Sequence, residues 1–334
     1  MKRSALVILN CFAAISAFAQ SVGNPVYEPF SDSTGTGGTS YTPGDRLGGQ
    51  SQTLAAGFVS GAGNFTGSSS VQSWWSYTNV ASPTTWPTVV SGDLSYAGLA
   101  SSGGGRSAQL GGSGASALMN LTKGTTGFLP GNGPIYYSFA LRLTDLGTLS
   151  IGSSFFAGFT KLVSYANGST TPVSVGAQLW VQSDGGTGYR LGVALGSNTT
   201  GTGRPVAYDA TSHSVGETLF IVGSYALTTG AGNDAVNLWI NPNSSTFGAI
   251  SAPAANASVA NDGSVTDLAR VASFTIFQNS ANEPTGQIDD LRIGLAWADV
   301  TPAVPEPSTL VFVTFGLALL WIRTRISRWT SSVR

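Results

Sequence analysis

This chain contains few residues that could carry out acid–base catalysis. His213 is the only histidine, and it lies in a polar stretch over residues 209–214. A serine–histidine–aspartate triad would have to use it, yet no Gly-x-Ser-x-Gly turn supplies the nucleophile. One histidine also cannot build a histidine-based metal site. We therefore expect no catalytic residue of this kind and no metal site built on histidine.

Glycoside hydrolysis needs two carboxylates on one concave face. Only three glutamates precede residue 304, namely Glu28, Glu217 and Glu283, and they lie far apart in the sequence. Asp289 and Asp290 are adjacent, but neighbours on a regular strand point to opposite faces. We expect a non-catalytic protein, and a glycoside hydrolase stays as an alternative.

Aromatic side chains offer another chemistry, because exposed rings can stack on the faces of sugars. Trp74, Trp75, Tyr77 and Trp86 lie close together in the sequence. On an extended strand Trp74 and Trp75 point to opposite faces, so at most one of them is expected in the core. Glycan contact through these four residues is one hypothesis. The alternative is that they cap one end of the core.

Calcium is the one metal for which the sequence offers ligands. Carboxylate and carbonyl oxygens suit it, and they occur in the loops 184–186, 233–234 and 261–263. Asp and Asn beside Gly are also the ordinary residues of turns. The expectation is no cofactor, with Ca²⁺ at these loops as the alternative.

The N-terminus has the pattern of a secretory signal peptide. Lys2 and Arg3 precede a mainly apolar run over residues 5–19, and Ala17 and Ala19 supply small residues before Gln20. We predict cleavage by signal peptidase after Ala19. The only cysteine, Cys11, would leave with this segment, so the mature chain would contain no disulfide.

The C-terminus combines an extended turn, an apolar segment and a basic tail. Proline excludes a helix at the turn, residues 310–322 carry no charge, and the arginines follow directly. We predict a transmembrane helix over 309–322 with the tail 323–334 in the cytoplasm, as the positive-inside rule requires. The turn is Val304, Pro305, Glu306, Pro307 and Ser308, and the membrane stop is Arg323, Arg325 and Arg328.

This arrangement resembles the PEP-CTERM sorting signal of exported bacterial proteins. The resemblance implies recognition by an exosortase, a membrane enzyme that cleaves near the Pro-Glu-Pro motif. It further implies delivery to the cell surface or to the extracellular polysaccharide matrix, with transient anchoring by the C-terminal helix.

The body between the two signals is poor in charge and rich in small polar residues. Over residues 20–303 it has nine basic and 15 acidic residues, a net charge of about −6, so a nucleic-acid partner is not expected. We predict a glycine- and serine-rich irregular start at 20–93, followed by one β-sandwich at 94–303. The signal peptide at 1–19 and the sorting signal at 304–334 complete the organisation.

Short β-branched and aromatic runs separated by turn residues follow residue 94, which is typical of an all-β fold. In the clearest strand, 135–143, the alternate residues from Ile135 to Leu143 form one apolar face. Residues 178–182 and 189–195 flank a glycine-rich turn and should pair antiparallel. Further strands are predicted at 155–160, 219–227, 235–240, 274–277 and 288–297, with others near Tyr96 and Leu118. Trp180 and Trp239 are expected in the core.

The stretches 135–143, 155–160, 236–242 and 288–294 resemble the concanavalin A-like, laminin-G-type jelly roll. The resemblance implies two packed antiparallel sheets over roughly residues 90–300. Together these features predict an exported, non-catalytic surface or matrix protein. The first alternative is a lectin-like carbohydrate-binding module with surface polysaccharide as its partner.

Overall fold

The protein was analysed as a computed structural model. The structure describes residues 26–30, 41–48, 51–52, 72–77, 85–101, 105–111, 114–121, 128–147, 149, 153–161, 174–196, 205–278 and 284–304. The signal peptide with Ala17, Ala19 and Gln20, residues 305–308 of the sorting motif, and the predicted span and arginine tail all lie outside these ranges. Within them, no helix is long and apolar enough to cross a bilayer.

Two antiparallel sheets make up the described fold, which has almost no helix. The strands in chain order are β1 Val26–Glu28, β2 Ser51–Gln52, β3 Gln72–Tyr77, β4 Thr88–Ser91, β5 Arg106–Leu110, β6 Ser116–Asn120, β7 Gly133–Asp145, β8 Ser153–Thr160, β9 Val175–Ser183, β10 Gly188–Ala194, β11 Val206–Tyr208, β12 His213–Ser214, β13 Thr218–Leu227, β14 Ala235–Ile240, β15 Ala257–Ala260, β16 Ser273–Ile276 and β17 Thr285–Gly294. A 3₁₀ turn at Ser244–Thr246 and the short helix α1 at Trp297–Val300 are the described helical elements.

Each sheet joins strands that are distant in sequence. The first sheet has the order β15-β14-β13-β7-β17-β5-β4, with β1 also paired to β17. The second has the order β11-β10-β9-β8-β16-β6-β3-β2, with β12 also paired to β10. Apolar side chains from both inner faces form one large core cluster between them. The predicted pair of packed antiparallel sheets is therefore confirmed.

The clearest sequence predictions are confirmed strand by strand. β7 contains the predicted run 135–143, and Ile135, Tyr137, Phe139, Leu141 and Leu143 are all fully buried. β9 and β10 form the predicted hairpin, with Tyr189 opposite Ser183. Trp180 and Trp239 are buried, although both pack in satellite clusters on the outer faces of the sheets.

The expected irregular start at 20–93 is wrong for part of that segment. β1 pairs with β17, β3 pairs with β6, and β4 pairs with β5. Tyr41 and Leu47 are fully buried in the core cluster. These strands were not predicted because they are short and lie in a stretch rich in glycine and serine. A short strand does not show a clear two-residue period of apolar side chains. No strand forms near Tyr96, and the last strand ends at Gly294, with Trp297 beginning α1.

A β-bulge determines which side chains of β17 face the core. Strict alternation places Ile288, Asp290 and Arg292 on one face, but the pairing with β7 shifts its register between Asp289 and Arg292. Asp290 takes a positive φ of 54°, which Asp tolerates better than most residues. The extra residue re-phases the strand. As a result Leu291 and Ile293 join Ile288 in the core, and both aspartates are buried.

Loops cover one half of the first sheet's outer face. Their residues pack on outward side chains of β7, β13 and β14 in a second cluster, which contains Leu99, Phe220, Val222, Trp239, Phe247, Trp297 and Val300. Ser138 on β7 donates a hydrogen bond to the carbonyl of Val300 at 2.6 Å, within the same covered half. The other half of this face bears side chains that are not fully buried, and it carries the candidate site.

Candidate functional site

Trp86 borders a groove of about 360 Å³ at the β4 end of the first sheet. Its remaining lining is uncharged, being Thr85, Thr88, Gln109, Leu110, Gly111 and Thr285. Ligand pockets in proteins commonly start at about this volume and combine apolar or aromatic surface with a few polar groups. Of the four predicted glycan-contact residues, Trp86 is the one that the structure places in a groove.

Two chain segments hold Trp86 in place. The backbone carbonyl of Thr85 accepts a hydrogen bond from Ala115 N at 2.9 Å. A Cβ at Gly114 would lie 2.1 Å from that carbonyl oxygen, so the close approach requires glycine. On the other side, the guanidinium of Arg46 lies 3.3 Å from the centre of the Trp86 ring. Arg46 is not among the residues that line the groove.

Arg46 belongs to a segment that continues the sheet beyond β4. Its neighbours make three backbone hydrogen bonds to the β4 region, from Gly44 N to Val89 O at 2.8 Å, from Val89 N to Asp45 O at 2.9 Å and from Leu47 N to Pro87 O at 2.8 Å. Arg46 itself stands opposite Thr88 in an antiparallel bridge. We call residues 44–47 the edge segment.

A line of polar residues runs from Arg46 across the exposed half of the outer face. Arg46 is opposite Thr88, Thr88 is opposite Gln109, and the line continues through β17 to β7 and β13. Their chain neighbours Val89, Ala108, Ile288, Leu141 and Leu219 all lie in the core cluster, which places the line on the outer face. The members of this polar row are Arg46, Thr88, Gln109, Gln287, Arg142 and Thr218, and none of them is buried.

Trp74 corrects the aromatic prediction. It is fully buried, its ring stacks on Phe30 at 6.0 Å, and its Nε1 donates a hydrogen bond to Glu28 at 3.3 Å. Glycan contact through Trp74 is therefore wrong, because no part of the ring reaches the surface. Trp75 and Tyr77 belong to β3, but their side chains lie outside the described part of the protein.

Glu28 explains why Trp74 turns inward. Its carboxylate is fully buried and accepts three hydrogen bonds, from Phe30 N at 2.9 Å, from the Tyr41 hydroxyl at 2.6 Å and from Trp74. Burial raises the pKa of Glu28, and these donors partly oppose the shift. A carboxylate enclosed in this way is a structural acceptor rather than a surface acid.

The remaining acid–base candidates do not converge on the groove. His213 is buried and its Nδ1 lies 3.6 Å from the carboxylate of Glu217, which is 41% exposed. This pair lies where β12 pairs with β10, in the second sheet. Glu283 lies outside the described residues.

The aspartates of β17 form a separate buried network. Asp289 accepts hydrogen bonds from Leu94 N at 2.8 Å and Asp290 N at 2.7 Å. Burial raises the pKa of Asp289 to about 8. Asp290 accepts a hydrogen bond from the Tyr27 hydroxyl and lies 3.9 Å from Arg292, which also donates to the carbonyl of Ala100. Strict alternation along β17 would leave Asp290 and Arg292 together on the outer face, whereas with the bulge both side chains are buried.

The three loops considered for calcium use their polar groups in turns. Asp184 accepts from Gly186 N at 2.8 Å, and Asn261 accepts from Gly263 N at 3.0 Å. Asp234 is buried and accepts from the Tyr225 hydroxyl and from Thr228 N, both at 2.7 Å. The described residues contain no cluster of three or more His, Cys, Asp or Glu that would hold a metal ion.

Comparisons give structural likeness alone. No protein-family model matches the chain, and no curated protein matches its sequence. An endo-β-1,4-glucuronan lyase from Trichoderma reesei superposes at 12% identity over 66% of this chain and 92% of its own, with a TM-score of 0.37. Domain 4 of AbnA, a GH43 extracellular arabinanase from Geobacillus stearothermophilus, was solved with arabinotriose. It superposes at 15% identity over 70% of this chain and 88% of its own, with a TM-score of 0.36. The binding domain of botulinum neurotoxin DC in complex with SialylT superposes at 11% identity over 70% of this chain and 47% of its own, with a TM-score of 0.36. Similarity at this level transfers no activity.

Proposed function

We propose that this protein is an exported, non-catalytic glycan-binding β-sandwich of the concanavalin A-like, laminin-G type. The observation that carries the proposal is the groove beside Trp86. It joins an aromatic ring to hydroxyl and amide side chains in an uncharged lining. Sugars present alternating apolar faces and hydroxyl groups, so a ring with hydroxyls and amides beside it suits them.

The polar row extends the binding surface beyond the groove. Thr88 and Gln109 belong to both, and Gln287 continues the row onto β17. Amide and hydroxyl groups each donate and accept hydrogen bonds, as sugar hydroxyls do. A rigid sheet also holds these side chains at fixed spacing, which lowers the entropic cost of binding an extended chain.

Binding to insoluble polysaccharides tests the proposal. Full-length protein should sediment with at least one matrix polysaccharide, and Trp86→Ala should reduce binding about tenfold, the loss of an aromatic anchor. Trp86→Phe should retain part of the affinity. Ile250→Ala, at a residue that is 84% exposed and belongs to the covering loops, is the matched control. Unchanged binding by Trp86→Ala would overturn this function.

Export and sorting complete the proposal. The basic and apolar N-terminus, the Pro-Glu-Pro motif and the arginine tail support passage through the inner membrane and processing by an exosortase-type enzyme. Val304, where the described body ends, is 49% exposed. Mass spectrometry of protein recovered from cells and medium should find an N-terminus at Gln20 and a C-terminus near Pro307. An intact Arg334 would instead indicate an uncleaved membrane anchor.

A further inference from the structure

We propose that the polar row selects an acidic polysaccharide, whose uronate carboxylates bind Arg46 and Arg142. This inference rests on the proposed glycan binding and names the class of glycan. The two arginines are the cations of the row, and its other members are neutral. A carboxylate on the ligand would pair with each guanidinium through charge-assisted hydrogen bonds.

Arg46 is held while its donors stay available. The side chain is exposed, and its guanidinium lies 3.3 Å from the centre of the Trp86 ring. Stacking uses the flat face of the guanidinium, so the N–H groups in its plane remain free to bind a carboxylate in the bidentate manner. Trp86 thus positions a cation at the rim of the groove that it lines.

Arg142 is fixed from within the sheet. Its Nε and Nη2 both donate to the Thr218 hydroxyl, at 3.0 and 2.8 Å. This accounts for two of the five N–H groups of a guanidinium, and the side chain is only half-buried. The donors that remain can serve a ligand carboxylate without loss of the bond that orients the side chain.

Within the part of the chain that the structure describes, neither arginine has an acidic partner. Among the described residues, no carboxylate oxygen lies within 4.0 Å of Arg46 or Arg142. Of the acids near the row in sequence, Asp145 accepts from Gly147 N at 2.8 Å and Glu217 lies beside His213. Asp45 precedes Arg46 in the chain but makes no ion pair with it. The body has 15 acidic and nine basic residues, and two of its arginines stand on this one row.

The distance between the two cations fits a polymer rather than a single sugar. Arg46 and Arg142 are separated by four strand spacings in the register, which is about 19 Å at about 4.8 Å per strand. Thr88, Gln109 and Gln287 lie between them. A chain that carries a carboxylate on successive sugars would meet a cation at each end of the row and neutral hydrogen-bonding groups along its middle.

Polygalacturonate and its fully methyl-esterified form provide the probe, because they share a backbone and differ in charge. Full-length wild type should bind polygalacturonate more tightly, and added salt should weaken that binding. Arg46→Gln and Arg142→Gln should each lower the affinity for polygalacturonate about threefold to tenfold. Both should lower binding of the methyl ester less than binding of polygalacturonate, because the ester offers no carboxylate to pair with a guanidinium. Arg142→Lys keeps the charge and should fall between wild type and Arg142→Gln.

Arg190→Gln is the control for net charge, because Arg190 is an exposed arginine on β10 of the other sheet. It should bind both polymers as wild type does. Equal binding of the two polymers by wild type, or wild-type affinity for polygalacturonate in both arginine variants, would overturn the choice of an acidic ligand while leaving glycan binding intact. Absence of binding to either polymer would overturn the acidic ligand, whereas failure to sediment with any matrix polysaccharide, or no effect of Trp86→Ala on binding, would remove the proposed function and this inference together.

Discussion

The hydroxyl of Tyr41 donates a hydrogen bond of 2.6 Å to the carboxylate of Glu28 inside the core. Both side chains are fully buried, and Trp74 donates to the same carboxylate oxygen from β3. Three stretches of the N-terminal part of the chain therefore meet at one acceptor. Because β1 pairs with β17 and β3 with β6, this acceptor also links the two sheets.

Glu28→Ala should destabilise the protein by about 2 to 5 kcal/mol, because it leaves the Tyr41 and Trp74 donors buried without an acceptor and opens a cavity. Glu28→Gln, which keeps the shape and one acceptor oxygen, should cost less. Equilibrium unfolding in urea measures both changes. Glu217→Ala, at a 41% exposed glutamate, should stay within about 0.5 kcal/mol of wild type. A loss no larger for Glu28→Ala than for this control would contradict the structural role.

The buried Asp289 makes stability depend on pH in a defined direction. Its pKa is about 8 in the folded protein, against about 3.9 in an unfolded chain. Between these values the folded state binds more protons, so stability should fall as pH rises from about 4 to about 8. Burial also raises the pKa values of Glu28 and Asp234, which act in the same direction.

Asp289→Asn separates the contribution of Asp289 from the other groups. The variant should show a flatter fall of unfolding free energy across this pH range than wild type does. Asp145→Asn, which removes an exposed carboxylate at the end of β7, is the control and should keep the wild-type slope. Urea unfolding at four or five pH values gives the slopes, and parallel curves for wild type and Asp289→Asn would contradict the prediction.

The β17 bulge can be tested at Asp290. Asp290→Ala removes the acceptor for Tyr27, leaves Arg292 without its buried partner and places alanine at a φ of 54°. A loss of about 3 to 5 kcal/mol is expected from the uncompensated buried charge alone. Tyr27→Phe removes the hydroxyl that donates to Asp290 and keeps the carboxylate beside Arg292, so it should cost less, about 1 kcal/mol. Urea unfolding measures the loss of stability in each variant, and the loss should be larger for Asp290→Ala than for Tyr27→Phe. Equal losses would contradict the prediction.

Gly114 controls the position of Trp86 from the neighbouring sheet. Gly114→Ala would place a Cβ 2.1 Å from the Thr85 carbonyl oxygen, so the backbone that carries Trp86 must shift. We expect a lower melting temperature and weaker polysaccharide binding than wild type shows. Gly186→Ala, where the nearest atom to the new Cβ is Asp184 Oδ1 at 3.4 Å, should leave binding unchanged. Full binding by Gly114→Ala would show that the groove tolerates the shift.

Sequence patterns predicted the long strands well and the site poorly, for physical reasons. In β7 the two-residue period runs without interruption from Ile135 to Leu143, so the buried face can be read directly. In β17 the bulge at Asp290 breaks the period, and no residue type marks that insertion in advance. A positive φ at an aspartate is visible only in the structure.

The aromatic prediction shows a similar limit. Trp74 and Trp86 look alike in sequence, each lying in a polar, turn-rich stretch. What separates them is Glu28, a buried acceptor 46 residues before Trp74, and Arg46, a cation 40 residues before Trp86. The polar row was missed altogether. Its one signal is a polar residue at alternate positions of several strands, and that signal gains meaning only when the register aligns those strands.

The edge segment has a consequence for the sheet that is separate from the proposed glycan site. A sheet that ended at β4 would present unpaired N–H and C=O groups, on which strands of other molecules can add. The bonds from Gly44, Asp45 and Leu47 occupy that edge within the same chain. For a protein that we expect to accumulate at a crowded surface, this closure opposes fibre growth between copies. The residues that bring Arg46 to Trp86 thereby also cover the β4 edge of the sheet.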